Sequence, residues 1–159
     1  MTGDRSPLHT IVWACDARPD DGREFEYVRD LCRSHRGLLW IVHVAESMLS
    51  GRSGASDPDA GGEQGIVRLK SRTRSLRDEG IDASLHVVRG VTGAPATAIA
   101  QVVHQLCGDL LVIGAGRRDA SGRSAPGATA LQLLATVGCP VLSLGERVGE
   151  PTSGEPRPR

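Results

Sequence analysis

Apolar residues along this chain follow two alternating patterns. Short, mostly apolar runs span His9 to Asp16, Leu38 to Val44, Ala83 to Arg89, Asp109 to Gly114 and Pro140 to Leu144. Runs of this kind read as strands, and the nearly unbroken ones as parallel strands covered on both faces. Between them, apolar residues recur every three or four positions, the spacing of one helix face. Phe25, Val28, Leu31 and Cys32 mark a first helix over Pro19 to Arg36, and Ile66, Leu69, Thr73 and Leu76 a second over Ile66 to Arg77. Ile99, Val102, Val103 and Leu106 mark a third, which Pro95 opens as a first-turn proline. An Ala/Leu-rich fourth runs from Gly127 to near Gly138. Asp20 or Asp21 can cap the first helix, and Gly37, Gly80 and Gly108 stop the first three.

The order is therefore β-α-β-α-β-α-β-α-β. Strands alternating with helices of this length predict a single α/β domain: a doubly wound, five-stranded parallel sheet with helices on both faces, Rossmann-like. Strand order 3-2-1-4-5 sets the carboxyl ends of strands one and four side by side at the switch point, where such sheets bind ligands. The domain is expected over 8–145. The stretch 46–65 is rich in Ser, Gly, Asp and Ala and reads as a flexible loop, and 1–7 and 149–159 read as disordered tails.

This layout draws attention to Asp109 to Cys139. A strand ending in Gly114 leads through a loop with three arginines, Ala115 to Pro126, to a helix opened by Gly127. Free N–H groups and the dipole at such a helix start favour an anion. No Gly-Lys-Ser/Thr follows, so the motif is not a Walker A loop. Gly114 and Gly116 fit the first two glycines of a dinucleotide fingerprint, but Asp119 stands at the third. Asp16, at the end of strand one, can accept from a ligand hydroxyl or amine; the ordinary alternative is a turn or cap residue. His43 can be a ligand or a hydrogen-bonded structural histidine. The face carrying Arg68, Lys70, Arg72 and Arg74, with Arg77 beside it, is either solvated or an anion patch.

Composition narrows the function classes. The 159 residues carry 19 basic and 19 acidic side chains, a net charge of zero, which argues against a nucleic-acid partner. No apolar stretch approaches the roughly 18 residues of a membrane span, and the polar start lacks a signal peptide's apolar segment, so a cytoplasmic location is expected. Cys15, Cys32, Cys107 and Cys139 form no C-x-x-C pair and read as buried, reduced thiols. No Ser or Cys has a histidine placed by sequence to activate it, and no metal set exists, so no enzyme is expected.

The chain resembles the universal stress protein family over about residues 8 to 145. The resemblance rests on Val12 to Asp16, on a second strand ending His43-Val44, and on Asp109 to Leu144, where Gly114 and Gly127 are spaced as the first and third glycines of G-x-x-G, nine residues, G-S/T. In nucleotide-binding members, the positions matching Asp16 and Val44 hold adenosine, and those matching Gly114, Gly127 and the following hydroxyl hold the phosphates. The resemblance thus implies binding of ATP or a related adenine nucleotide, with Mg2+ only alongside it, and a homodimer through the last strand, Val141 to Leu144. It also implies a stress-response role with an unknown protein partner. Two residues depart from the motif: Arg117 replaces the second glycine and Ala128 the Ser/Thr, with Thr129 one residue late. If the loop needs positive φ at 117, a side chain costs roughly 1–2 kcal/mol. A lost hydroxyl bond to phosphate costs roughly 1.5–3 kcal/mol. Arg117, Arg118 or Arg123 gripping a phosphate bidentately would offset this. The alternative is a protein-interaction module of the same fold that has lost the nucleotide.

Overall fold

The computed structural model describes residues 8–18, 22–46, 62–91, 94–114 and 127–145. The elements are β1 (Thr10–Ala14), α1 (Gly22–His35), β2 (Leu38–Glu46), α2 (Glu63–Asp78), β3 (Ala83–Val91), α3 (Pro95–Gln105), β4 (Leu110–Gly114), α4 (Ala128–Thr136) and β5 (Val141–Leu144). The strands form one parallel sheet in the order β3-β2-β1-β4-β5, the order expected from the sequence.

The alternation of side chains across the pleat divides the core into two layers. Ile11, Trp13, Leu39, Ile41, Leu110 and Val112 point to one face, where Val28 and Cys32 of α1 and Leu69 and Leu76 of α2 cover them. Val12, Ala14, Val42, Leu111 and Ile113 point to the other, under Ile99, Val102 and Val103 of α3 and Ala130 and Leu133 of α4. β1 and β4 are buried along almost their whole length. This is why their sequences show no polar alternation. β3 and β5 are the two edges of the sheet, and β5 is only half-buried.

Two helix boundaries differ from the sequence expectation in an instructive way. α2 begins at Glu63, inside the stretch expected to be a loop, and Gly65 is buried in it. Gly62 takes the N-cap position with extended backbone, and Glu63 complements the dipole of the first turn. The remainder of that loop, 47–61, and the tails 1–7 and 149–159 lie outside the described residues. At the other boundary, only Gly80 stops its helix by adopting a left-handed backbone itself (φ 81°). In α1 and α3 the left-handed residue comes one position earlier, at Arg36 and Cys107, both with φ 50°. The glycines that follow serve a different purpose. A Cβ at Gly37 would lie 2.9 Å from the Leu8 carbonyl oxygen, and one at Gly108 would lie 3.0 Å from Val12 Cγ2. Both are places where a helix end passes too close to β1 for a side chain.

The cysteines also divide. Cys15 and Cys32 are buried, and burial pushes the Cys32 thiol up to about 12. Cys139 is half-buried. Cys107 is exposed, contrary to expectation, because it occupies the left-handed turn after α3 rather than the helix face. Thr73, the polar member of the α2 core stripe, is accommodated by donating its hydroxyl to the Leu69 carbonyl, 2.8 Å away.

Candidate functional site

The switch point is built where β1 and β4 end next to each other. Ala14 pairs with Val42 of β2 and with Ile113 of β4. Continuing both registers by one residue sets His43, Cys15 and Gly114 in a single row across the sheet, and the Cys15 N–H extends the ladder by donating to the Val42 carbonyl at 3.0 Å. Chain order then sends β1 to α1 on one face and β4 to α4 on the other, which opens a crevice between the two strand ends.

The β1 wall of this crevice is tied down by polar contacts. His43 is buried, and its Nδ1 lies 2.9 Å from the Cys15 carbonyl oxygen. A carbonyl can only accept, so Nδ1 carries the proton and donates. His43 is thus a structural histidine that holds the end of β1. Two residues on, Ala17 is buried with a left-handed backbone (φ 61°), a conformation that costs a non-glycine residue roughly 1–2 kcal/mol. It is held from both sides: its N–H donates to Cys15 Sγ at 3.3 Å, and its carbonyl accepts from Arg68 of α2 at 3.0 Å. Arg68 is therefore no simple member of a solvated face. Its neighbour one turn along, Arg72, lies 5.1 Å over the Phe25 ring, which in turn packs against Trp13.

Between these anchored residues stands Asp16. Its side chain is 56% exposed and pairs with Arg18. An ion pair this open to water contributes about 0–1 kcal/mol, so the carboxylate can be given over to a ligand at little cost. It is not a helix cap: α1 begins at Gly22, six residues later. Val44 lies further along β2, opposite Val88 of β3, on the α3/α4 face.

Among the described residues, the opposite wall begins with two glycines, Gly114 and Gly127. Gly114 ends β4, and a Cβ there would run into the Glu24 carboxylate of α1. Gly127 is the N-cap of α4, with φ −67° and ψ 169°, a conformation open to any residue. It offers no side-chain cap, and no acidic residue occupies the first turn. Ala128 is exposed and Thr129 half-buried. Arg117, with Arg118, Arg123 and Pro126, lies outside the described residues. The structure thus brings Asp16, Val44 and Gly114 to one end of the sheet, with Gly127, Ala128 and Thr129 at the start of the helix that follows β4. Two participants were not legible in the sequence: Glu24 and Arg68. Glu24 is ninety residues from Gly114 and Arg68 fifty-one from Ala17, and no local pattern signals either contact.

A five-stranded parallel sheet in this order, covered by helices on both faces, defines a class: small doubly wound α/β domains. A family model, the universal stress protein family, matches residues 7–144, and the chain belongs to that family. Solved structures agree on the fold. Universal stress protein UspA from Lactobacillus plantarum superposes with a TM-score of 0.68 at 19% identity, over 86% of this chain and 97% of that one. A universal stress protein in complex with cAMP gives 0.60 at 18% identity, over 87% and 97%. The universal stress protein from Archaeoglobus fulgidus in complex with dAMP gives 0.55 at 20% identity, over 85% and 96%. No curated protein matches the sequence.

Proposed function

We propose that this protein binds ATP or a related adenine nucleotide in the crevice between β1 and β4, as a cytoplasmic stress-response protein that acts through occupancy rather than catalysis. The observation that carries this reading is the half-exposed Asp16 carboxylate, held at the end of β1 opposite a strand end and a helix start without capping side chains. The residues fit such a ligand: a carboxylate suits ribose hydroxyls, and an uncapped helix start with no acid in its first turn suits phosphate. Relatives in complex with cAMP and dAMP add support. In this reading Asp16 and the Val44 backbone hold the adenosine, and Gly114, Arg117, Gly127, Ala128 and Thr129 surround the phosphates. Mg2+ enters only with the nucleotide. The half-buried edge strand β5 supports a homodimer through Val141–Leu144, whose backbone would otherwise be an unpaired edge. No described helix is long and apolar enough to cross a membrane.

A second reading has its own observations. Ala128 lacks the hydroxyl of the family motif, and the Glu24 carboxylate lies against Gly114. Both weaken the phosphate side and favour an interaction module without nucleotide. Isothermal titration with adenosine, AMP and ATP, on wild type and on Arg117→Gly/Ala128→Ser, separates the two. Binding that tightens in the double variant supports an eroded nucleotide site. Absence of binding in both proteins supports the module. Phosphate release with magnesium, above a matched blank, would replace the non-catalytic reading.

A further inference from the structure

Far from the crevice, α3 and α4 end at the amino edge of the sheet beside the start of β5. A groove of about 550 Å³ opens there, and two free thiols line it, Cys107 and Cys139. Nothing in the nucleotide reading uses them.

Local geometry presents the two thiols differently. The Gly108 N–H donates to the Val103 carbonyl (2.9 Å) and the Cys107 N–H to the His104 carbonyl (3.1 Å), the bond pair of a Schellman turn. The left-handed position of that turn falls on Cys107, and its side chain is exposed. Cys139 arrives from the other wall. Leu111 pairs with Val141, and the Leu111 N–H donates to the Pro140 carbonyl at 3.0 Å. Two residues back along that register, Asp109 falls opposite Cys139, two residues after Cys107. The Cys139 thiol is pushed up by burial, with the Asp109 carboxylate adding to the rise against two backbone hydrogen bonds that lower it. An exposed thiol and a half-buried one thus line one groove from its two walls.

We propose that Cys107 and Cys139 form a reversible dithiol–disulfide site oxidised by a hydroperoxide. The Cys107 sulfur attacks the peroxide; an S–O bond forms as the O–O bond breaks, and the first water (an alcohol, for an alkyl hydroperoxide) leaves. The Cys139 sulfur then attacks the Cys107 sulfenic acid; the S–S bond forms as S–O breaks, and the Cys139 proton leaves with the hydroxide as water. Two thiols lose two protons and two electrons, and one peroxide takes them up. The bond closes a loop around β4, the glycine-bearing segment and α4, so oxidation would constrain one whole wall of the crevice.

The test uses the full chain, reduced, treated with hydrogen peroxide, quenched and alkylated in denaturant, then mapped by mass spectrometry. The expected product is a Cys107–Cys139 linked peptide, with Cys15 and Cys32 still alkylated and the link reversed by dithiothreitol. Cys139→Ser should stop at a Cys107 sulfenic acid that dimedone traps. Cys107→Ser should slow oxidation of Cys139 by about tenfold or more, since susceptibility follows exposure. Thermal melts confirm that both variants fold. Over-oxidation of Cys107 with Cys139 left as thiol, a Cys107–Cys107 dimer, or preferential oxidation of Cys15 or Cys32 would each overturn the proposal.

Discussion

The two walls of the crevice are built on opposite plans. On the β1 side, His43, Cys15, Ala17 and Arg68 hold one another through buried and half-buried hydrogen bonds, and a strained residue is kept in place by them. On the β4 side, Gly114 and Gly127 contribute backbone alone, and the start of α4 has no side-chain cap. The first wall fixes the position of one carboxylate, Asp16. The second, among the described residues, offers a strand end and a helix start without a capping side chain. A rigid acceptor facing an adaptable donor surface suits a ligand with a constant hydroxyl-bearing part and a variable anionic part.

If the β1 wall owes its order to His43, breaking that contact should have the largest effect. His43→Leu leaves the Cys15 carbonyl buried without its donor and should cost about 2–3 kcal/mol in urea denaturation. His43→Asn, which retains a donor near the Nδ1 position, should recover part of this. Equal losses in the two variants would mean that imidazole packing, not the hydrogen bond, holds the strand end.

A pair of glycines sharpens the comparison next. Gly108→Ala forces a methyl group against Val12 and Val103 at 3.0 and 3.2 Å and should cost about 1–3 kcal/mol by overpacking. Gly114→Ala meets the carboxylate end of a long Glu24 side chain rather than packed core atoms and should cost less than about 1 kcal/mol. Comparable destabilisation at the two positions would show the β4 wall to be as rigid as the core beneath it.

Alkaline pH gives a further effect. The Cys32 thiol, with its value near 12, stays protonated in the fold, whereas the unfolded chain releases that proton above about 9. The unfolded state therefore binds fewer protons in that window, and stability falls as pH rises from about 9 towards 12. Denaturation midpoints across that range should fall in wild type, and the slope should flatten in Cys32→Ala. The smallest stability effect belongs to Asp16. Asp16→Asn removes a surface ion pair and should cost no more than about 1 kcal/mol. In the nucleotide reading the same change should weaken adenosine binding by about tenfold or more, from the roughly 1.5–3 kcal/mol of a hydrogen bond to a charged group.

Much of the fold was legible in the sequence because burial on both faces of a parallel sheet erases polar alternation, and the helices keep their 3.6-residue stripe. Ile66, Leu69, Thr73 and Leu76 are all buried as that stripe requires. The start of α2 was missed because Glu63 to Gly65 contributes few apolar positions to the pattern. The exposure of Cys107 was missed because an apolar residue beside a helix stripe looks the same whether it continues the helix or turns left-handed after it. At the site, Asp16 and Gly114 could be named from chain order and strand ends. Arg68, Glu24 and the bond from His43 could not, since each depends on contacts between residues far apart in sequence.

The most direct measurement is native mass spectrometry of the purified protein with and without ATP and magnesium. A dimer that carries one nucleotide per subunit, with uptake lost in Asp16→Asn, is the predicted result. A protein that takes up no adenine nucleotide at concentrations well above cellular levels would contradict the account and leave the crevice as the remnant of a binding site in an interaction module.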